Sequence, residues 1–265
     1  MPKVTIDGAS FDAKADETIL DVARRAGVWI PTLCHHPALE PYAACRICVV
    51  EIERRGWWQV VTSCNYPVRG DLNVRVNSER AAGARRGVMR LLLARCPESE
   101  ELKALARRMG VEGTPYPKVT EAQRNCILCG LCVRVCAEKI GASAISLTGR
   151  GVERTVAAPF RAPSEDCIGC GACAEVCPVG TIVIRKHPGE VEVSPFKSRV
   201  RVRACASCGR PVGSERVRDV LSSRGGPTLR EILSRDALCA ECRRSKVARD
   251  LTAAVPGTAT GDRSR

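Results

Sequence analysis

Cysteine constrains this chain more than any other residue. Of 17 cysteines in 265 residues, sixteen sort into four sets of four, each with metal-ligand spacing. The sets are Cys34, Cys45, Cys48, Cys64; Cys126, Cys129, Cys132, Cys136; Cys167, Cys170, Cys173, Cys177; and Cys205, Cys208, Cys239, Cys242. Only Cys96 is left over. Repeated C-x-x-C pairs with an odd total argue against a secreted disulfide framework and for bound metal. Aromatic residues make up only 3% of the chain, which disfavours large ring-packed cores. Small domains of this kind need staples, and thiolate-bound metal centres act as staples. Several such centres in one chain read as a path for electrons.

The length suggests two or three small domains. Residues 1 to about 95 read as one domain. In it, Val4-Thr5-Ile6, Asp7-Gly8 and Ser10-Phe11-Asp12 predict a tight hairpin. Thr18 to Ala26, ended by Gly27, predicts a short amphipathic helix. Residues 47–52 and 57–62, rich in Val and Ile, predict strands. Ser78 is a natural N-cap for a helix to about Ala94. Residues 96–125 form a connector, helical over 98–109, broken at Gly110 to Pro117, with a Thr120/Gln123 capping pair before Cys126. Residues 126–185 hold an internal repeat, 187–195 a linker or edge hairpin, and 200–250 a small module. The stretch 253–265 has the composition of a disordered tail.

Lys and Arg total 42 against 29 Asp and Glu, a net charge of +13. The basic residues are scattered and few aromatics are present for base stacking, so nucleic acid is not the expected partner. A solvated surface with subunit docking is expected instead. The N-terminus has no basic leader followed by an apolar run, and the longest apolar runs, such as Leu91 to Ala94, are too short to span a bilayer. A cytoplasmic protein without membrane insertion is expected.

The first set, Cys34-x10-Cys45-x2-Cys48-x15-Cys64, brings three thiolates from one long loop and its exit and the fourth from a later strand. Plant-type ferredoxins hold a [2Fe–2S] core in a similar way, with four residues rather than ten between the first two ligands. The segments Ile30-Pro31-Thr32-Leu33-Cys34-His35-His36-Pro37, Ala44-Cys45-Arg46-Ile47-Cys48-Val49-Val50-Glu51-Ile52 and Thr62-Ser63-Cys64-Asn65-Tyr66-Pro67-Val68 resemble a known family. It is the N-terminal part of the large iron–sulfur subunit of respiratory NADH dehydrogenase. They equally resemble the diaphorase iron–sulfur subunit of NAD-coupled nickel–iron hydrogenases and accessory domains of iron-only hydrogenases. The resemblance implies a β-grasp fold and a [2Fe–2S] cluster on Cys34, Cys45, Cys48 and Cys64, with His35 a surface or hydrogen-bonding residue. Those subunits usually continue with His-x3-Cys-x2-Cys-x5-Cys and a further [4Fe–4S] cluster. Here the region reads Leu91-Leu92-Leu93-Ala94-Arg95-Cys96-Pro97-Glu98, so that cluster is expected to be missing and Cys96 to be a small buried thiol.

Cys-Ile-x-Cys-Gly-x-Cys-x-x-Val-Cys occurs at 126–136 and again at 167–177, 41 residues on. This is the bacterial dicluster ferredoxin spacing, whose fourth cysteine ligates the other cluster. One [4Fe–4S] cluster is therefore expected on Cys126, Cys129, Cys132 and Cys177, and another on Cys167, Cys170, Cys173 and Cys136. Gly130, Gly169 and Gly171 suit loops whose N–H groups wrap anionic sulfurs. Ala137 replaces the usual proline after the first run. The segment from Gly149 to Phe160 extends the resemblance, which thus covers residues 1 to about 185.

Cys205-x2-Cys208-Gly209 and Cys239-x2-Cys242 are two knuckles around an insert with helical stretches at 214–222 and 228–234, the latter with a Thr228/Glu231 capping pair. Paired knuckles suit a closed tetrahedral Zn²⁺ site; the other reading is a third [4Fe–4S] cluster. The expected architecture is α+β: a β-grasp [2Fe–2S] domain, a dicluster [4Fe–4S] domain and a zinc-ribbon-like module.

No nucleotide fingerprint, Ser/His/Asp arrangement or paired carboxylates stand out, so the cofactors carry the chemistry. The resemblance implies a relay subunit between a flavin/NAD(H)-type subunit and a catalytic subunit such as a nickel–iron hydrogenase or formate dehydrogenase. A free-standing polyferredoxin is the other reading.

Overall fold

A computed structural model describes residues 1–120, 125–234 and 237–253. The chain divides into two compact units, the first holding 1–166, 171–183 and 194–196, the second 167–170, 184–193 and the residues from 197 on.

The first unit opens with β1 (Lys3–Ile6) and β2 (Ala9–Asp12), paired antiparallel with Ile6 opposite Ala9. Asp7 and Gly8 are the whole turn, both at positive φ (46° and 93°), as a hairpin matched to strand twist requires. The Asp7 carboxylate also accepts from the N–H of Val76 at 2.8 Å and from Asn77 at 2.9 Å. Next, α1 (Ile19–Arg25) is held by Thr18, whose hydroxyl and backbone exchange capping bonds with Asp21. Its buried residues, Ile19, Leu20, Val22 and Ala23, make one apolar face.

β3 (Val49–Arg54) and β4 (Trp57–Thr62) form a second antiparallel pair. The strand β5 (Leu72–Arg75) fits between the two hairpins, parallel to β1 and antiparallel to β3. The order is β2-β1-β5-β3-β4, and α1 packs on this mixed sheet through Val4, Ile6, Leu20, Val22, Val50, Ile52 and Val74. A five-stranded sheet around one helix is the arrangement the resemblance implied. The sequence did not single out β5. It is four residues long, and its partners in β1 lie about seventy positions away.

The helix α2 (Glu79–Arg95) starts at Ser78, whose hydroxyl accepts from Ala81 N–H. Then α3 (Glu100–Arg108) starts at a second serine cap, Ser99, two residues later than the apolar pattern suggested. Gly110, at φ 68°, ends it. Gln123 of the expected Thr120/Gln123 pair lies outside the described residues. Beyond them, α4 (Leu131–Arg134) runs into a π-helical turn over Val135–Ile140. A short hairpin of β6 (Ser146–Thr148) and β7 (Thr155–Ala157) and the one-turn α5 (Ala172–Glu175) complete the unit.

The second unit is built on a sheet ordered β11-β10-β9-β8: β8 (Val183–His187), β9 (Glu190–Ser194), β10 (Ser198–Ala204) and β11 (Pro211–Ser214). The stretch read as a linker or edge hairpin is the hairpin, turning at Pro188 and Gly189, the latter at φ 73°. Three helices follow: α6 (Glu215–Arg224), capped by Ser214; α7 (Pro227–Ser234); and α8 (Ala240–Ala253). The proline at the first position of α7 starts that helix one residue early. Thr228 therefore lies inside its first turn, not at the cap where the sequence reading put it. The tail beyond Ala253 lies outside the described residues.

Candidate metal centres

The first set gathers at one end of the five-stranded sheet. Cys34 sits in the loop after α1, Cys45 and Cys48 in the turn leading into β3, and Cys64 in a single 3-10 turn (Ser63–Asn65) leaving β4. All four are buried. Arg46, at φ 59°, turns the chain between two of the ligand positions. The N–H of Cys45 points at Sγ of Cys34 across 3.4 Å. Ser63 donates both its N–H (3.1 Å) and its hydroxyl (2.8 Å) to the carbonyl of Cys48, tying that turn to the Cys64 segment.

The thiols interact two and two. The Cys34 thiol donates to Cys45, which draws the Cys45 pKa down to about 6, and the Cys64 thiol draws Cys48 down to about 7. Cys34 and Cys64, as the proton holders, are pushed up, with burial adding to the effect. Two thiol pairs fit a two-iron centre, in which each iron takes two thiolates. Arg85 lies buried on α2, 6% exposed. Burial disfavours its charge, and the groups opposing that effect are Asp7 and Cys48.

Cys177, the residue that the crossed pattern pairs with the second set, lies beside three of its members. Cys126, Cys129, Cys132 and Cys177 line one cavity of about 480 Å³, its open mouth included, walled by Ile127, Val156, Val179, Ile182 and Phe196. Backbone amides face the sulfurs: Leu128 N–H lies 3.4 Å from Sγ of Cys126, and Leu131 N–H bonds to Cys129. Burial raises the thiol pKa of Cys126, Cys129 (to about 12) and Cys132. Two buried and two half-buried cysteines, with N–H donors and apolar walls around them, fit an anionic cubane whose charge the donors would offset.

The repeat is also visible in the backbone. Leu128 and Gly169 both take a left-handed conformation (φ 54° and 66°), as do Gly130 and Gly171 (77° and 80°), which begin the equivalent helices α4 and α5. Each pair is 41 residues apart. Of the remaining set, Cys136 and Cys173 lie in the first unit, on the π-helical turn and on α5, which pack together. Cys167 and Cys170 lie in the second unit. There the carbonyl of Cys167 accepts from Arg216 (3.0 Å) and that of Ile168 from Ser214. A Cβ on Gly169 would meet Val191 and Val200 at 3.1 Å, so both backbone conformation and space require glycine.

Cys205, Cys208, Cys239 and Cys242 form a tighter group, with all four sulfurs within 4.8 Å of one another. Among the described residues it is the one set of metal-ligating groups so closely gathered. Four thiolates about 2.3 Å from one tetrahedral ion lie about 3.8 Å apart, and Cys208 and Cys239 are separated by 3.7 Å. A cubane, with each thiolate on its own iron, sets the sulfurs farther apart.

Cys96 is fully buried at the end of α2, packed with Met89, Leu93 and Leu102. Burial raises its thiol pKa. His35 meets Arg24 at 3.2 Å through Nδ1. The first two sets share one apolar cluster, in which Leu33, Cys34, Cys45 and Ile47 pack with Ile127, Cys129, Leu131 and Val179. The sequence carried no signal for this packing, because loops have no hydrophobic period.

Two family profiles match the chain. A 2Fe-2S iron-sulfur cluster binding domain covers residues 2–79, and a 4Fe-4S dicluster domain covers 125–181. The NADPH-Fe(3+) oxidoreductase subunit alpha of Geobacter sulfurreducens (strain DL-1 / KN400) is 34% identical over 173 residues, 57% of this chain and 20% of that protein. One NADH-quinone oxidoreductase subunit of Rhizobium meliloti (strain 1021) is 30% identical over 233 residues, 79% of this chain and 27% of that protein. The chain thus spans a fifth to about a third of the length of the curated relatives it matches. A chain of the NAD+-reducing [NiFe]-hydrogenase, solved in the H2-reduced state, superposes with a TM-score of 0.50 at 26% identity, covering 81% of this chain and 92% of that one. No helix among the described residues is long and apolar enough to cross a membrane. The expected resemblance is found: the chain carries a 2Fe-2S domain followed by a 4Fe-4S dicluster domain, and it is similar to subunits of an NADH-quinone oxidoreductase and an NADPH-Fe(3+) oxidoreductase and to a chain of an NAD+-reducing [NiFe]-hydrogenase.

Proposed function

We propose that this chain is a non-catalytic electron relay within a multi-subunit oxidoreductase of the cytoplasm. Its [2Fe–2S] ligands are Cys34, Cys45, Cys48 and Cys64. The [4Fe–4S] ligands are Cys126, Cys129, Cys132 and Cys177 for one cluster and Cys167, Cys170, Cys173 and Cys136 for the other. When bound, these groups supply one-electron storage and transfer. The protein's own part is to fix their separation and keep water out. The observation that supports the reading is the packing of Cys34 and Cys45 with Cys129 in one apolar cluster of the first unit. Buried thiols and apolar walls lower the local dielectric, and the N–H donors at Leu128 and Leu131 favour the anionic sulfurs. Cys205, Cys208, Cys239 and Cys242 hold a single Zn²⁺ that staples the second unit; the gathering of their sulfurs supports one ion over a third cubane.

The partners are a flavin subunit handling NAD(H) and a catalytic subunit of the hydrogenase or formate dehydrogenase type. The excess of basic over acidic residues suits fixed docking on acidic faces. Anaerobic iron, zinc and sulfide analysis with EPR of the reduced chain tests the cofactor assignment. About ten irons and one zinc per chain support it, whereas about fourteen irons without zinc move the fourth set into the relay. Stoichiometric partners on purification from the native host support a subunit. Isolation of the chain alone, active as a diffusing carrier, would replace this reading with a free ferredoxin.

A further inference from the structure

The ten-residue spacer between Cys34 and Cys45 carries a contact that neither motif explains. Its residues Glu40 and Tyr42 reach across to Arg134, the last residue of α4, two positions beyond Cys132. Arg134 Nη1 donates to the carbonyl of Glu40 at 2.7 Å. Its guanidinium lies 5.5 Å from the centre of the Tyr42 ring. The same guanidinium is braced from behind by Glu138, with Nε 2.8 Å and Nη2 3.2 Å from the two carboxylate oxygens. The Tyr42 ring lies against Gly130, where a Cβ would stand 3.7 Å from it. Ala43, at φ 55°, turns the spacer back toward Cys45.

Arg134 thus joins the loop between two ligands of one centre to the helix that carries a ligand of the next. A guanidinium held at three points is a better spacer than an exposed ion pair, since its planar fork loses little freedom for each bond made. Side-chain exposure of 17% shields it from competing water. We infer that Arg134, gripping Glu40 and Tyr42, is the positioning residue that sets the distance between the [2Fe–2S] site and the Cys126/Cys129/Cys132/Cys177 site. The inference rests on the cofactor assignment above. One electron leaves one centre as the other gains it, with no bond or proton moving, so the contribution of Arg134 is geometric.

The test uses the full chain, loaded with iron and sulfide, as wild type and as Arg134→Ala, Arg134→Lys, Tyr42→Ala and Tyr42→Phe. The readouts are iron content, the EPR signal of each centre, the magnetic coupling between them, and the rate of electron exchange after rapid one-electron reduction. Arg134→Ala and Tyr42→Ala are expected to keep their iron and both individual signals. Their coupling should weaken and exchange should slow, because electron tunnelling falls off steeply as two centres move apart. Tyr42→Phe should match wild type, and Arg134→Lys, which keeps one donor and the charge, should fall between. Unchanged coupling and rate in Arg134→Ala would overturn the inference. So would loss of iron from both alanine variants, which would make the contact one of simple folding. A wild-type chain that holds no iron at Cys34 to Cys64 or at Cys126 to Cys132 would instead sink the cofactor assignment.

Discussion

Cys239 donates its main-chain N–H to the sulfur of Cys205 across 3.3 Å, joining two knuckles 34 positions apart. Cys242 N–H does the same for Cys239 at 3.5 Å. Arg210 Nε lies 3.5 Å from the sulfur of Cys208, and its other end pairs with Glu241 on α8. Donors aimed at sulfur favour thiolate: the Cys239 amide leads in drawing the Cys205 pKa down to about 6. Cys242 differs, its pKa held at about 11 because, against the lowering contact of Ser207, the thiols of Cys208 and Cys239 raise it; on the zinc assignment proposed above, the donors at the other sulfurs would favour a bound cation.

Replacing Cys205 by Ser should therefore lower zinc from about one per chain to near zero and leave iron unchanged, as read by elemental analysis of the purified chain. A loss of about four irons would mean a cubane in the knuckles. The second unit should also become more sensitive to protease, because on this assignment the substitution would remove the ion that staples it.

Arg85 offers a second test. It is buried, donates through Nη2 to the Val76 carbonyl, and leaves Nε without a hydrogen-bond partner. A buried cation is costly unless an anion lies nearby, and the Cys48 thiolate is one of the two charges that favour it. Arg85→Met should change the stability of the metal-free chain by no more than about 1–2 kcal/mol. In the loaded chain it should lower the [2Fe–2S] midpoint potential by on the order of tens of millivolts, because a nearby positive charge favours the reduced form. EPR-monitored redox titration reads this, and an unchanged midpoint would mean that Arg85 serves only packing.

Buried thiols give a pH prediction. In the folded, metal-free chain burial raises Cys126, Cys129 and Cys132 above their ordinary value of 9.0, Cys129 to about 12. An acid whose folded pKa exceeds its unfolded pKa favours folding while protonated. That contribution is complete below pH 9 and is lost as pH rises from about 9 toward 12. Denaturant titrations of the metal-free chain should show stability falling over that window. The chain carrying iron and sulfide should show no such fall, because its ligands are already deprotonated. Equal slopes for both forms would contradict the ligand assignment.

Local chemistry made much of this legible in the sequence. Asp7-Gly8 has the two positive-φ residues its turn needs. Ser78 caps α2 at the expected position, and the repeated cysteine spacing is mirrored in the left-handed residues at Leu128/Gly169 and Gly130/Gly171. Non-local pairing was not legible. Leu72–Arg75 is a strand only because β1 and β3 flank it. The grip of Arg134 on Glu40 spans 94 positions, and no propensity or period encodes such a distance. The early start of α7 at Pro227 was a local signal outweighed by the capping pattern at Thr228.

The odd cysteine supplies the last prediction. Cys96 closes the C-terminal end of α2, where its N–H returns to the Leu92 carbonyl at 2.8 Å. Its side chain is fully buried among Met89, Leu93 and Leu102. Burial is the main cause of its raised thiol pKa, and the negative charge of Cys126 adds to it. A thiol so placed behaves as a small apolar side chain, and removing its sulfur leaves a small void. Cys96→Ala should cost about 1–2 kcal/mol of stability while iron content and every EPR signal stay as in wild type. Cys96→Ser, of similar size, should cost at least as much, because a buried hydroxyl among these apolar neighbours must find a partner or remain unsatisfied. If either variant lost about four irons per chain, Cys96 would be a ligand, and the reading of this region as holding no further cluster would have to be abandoned.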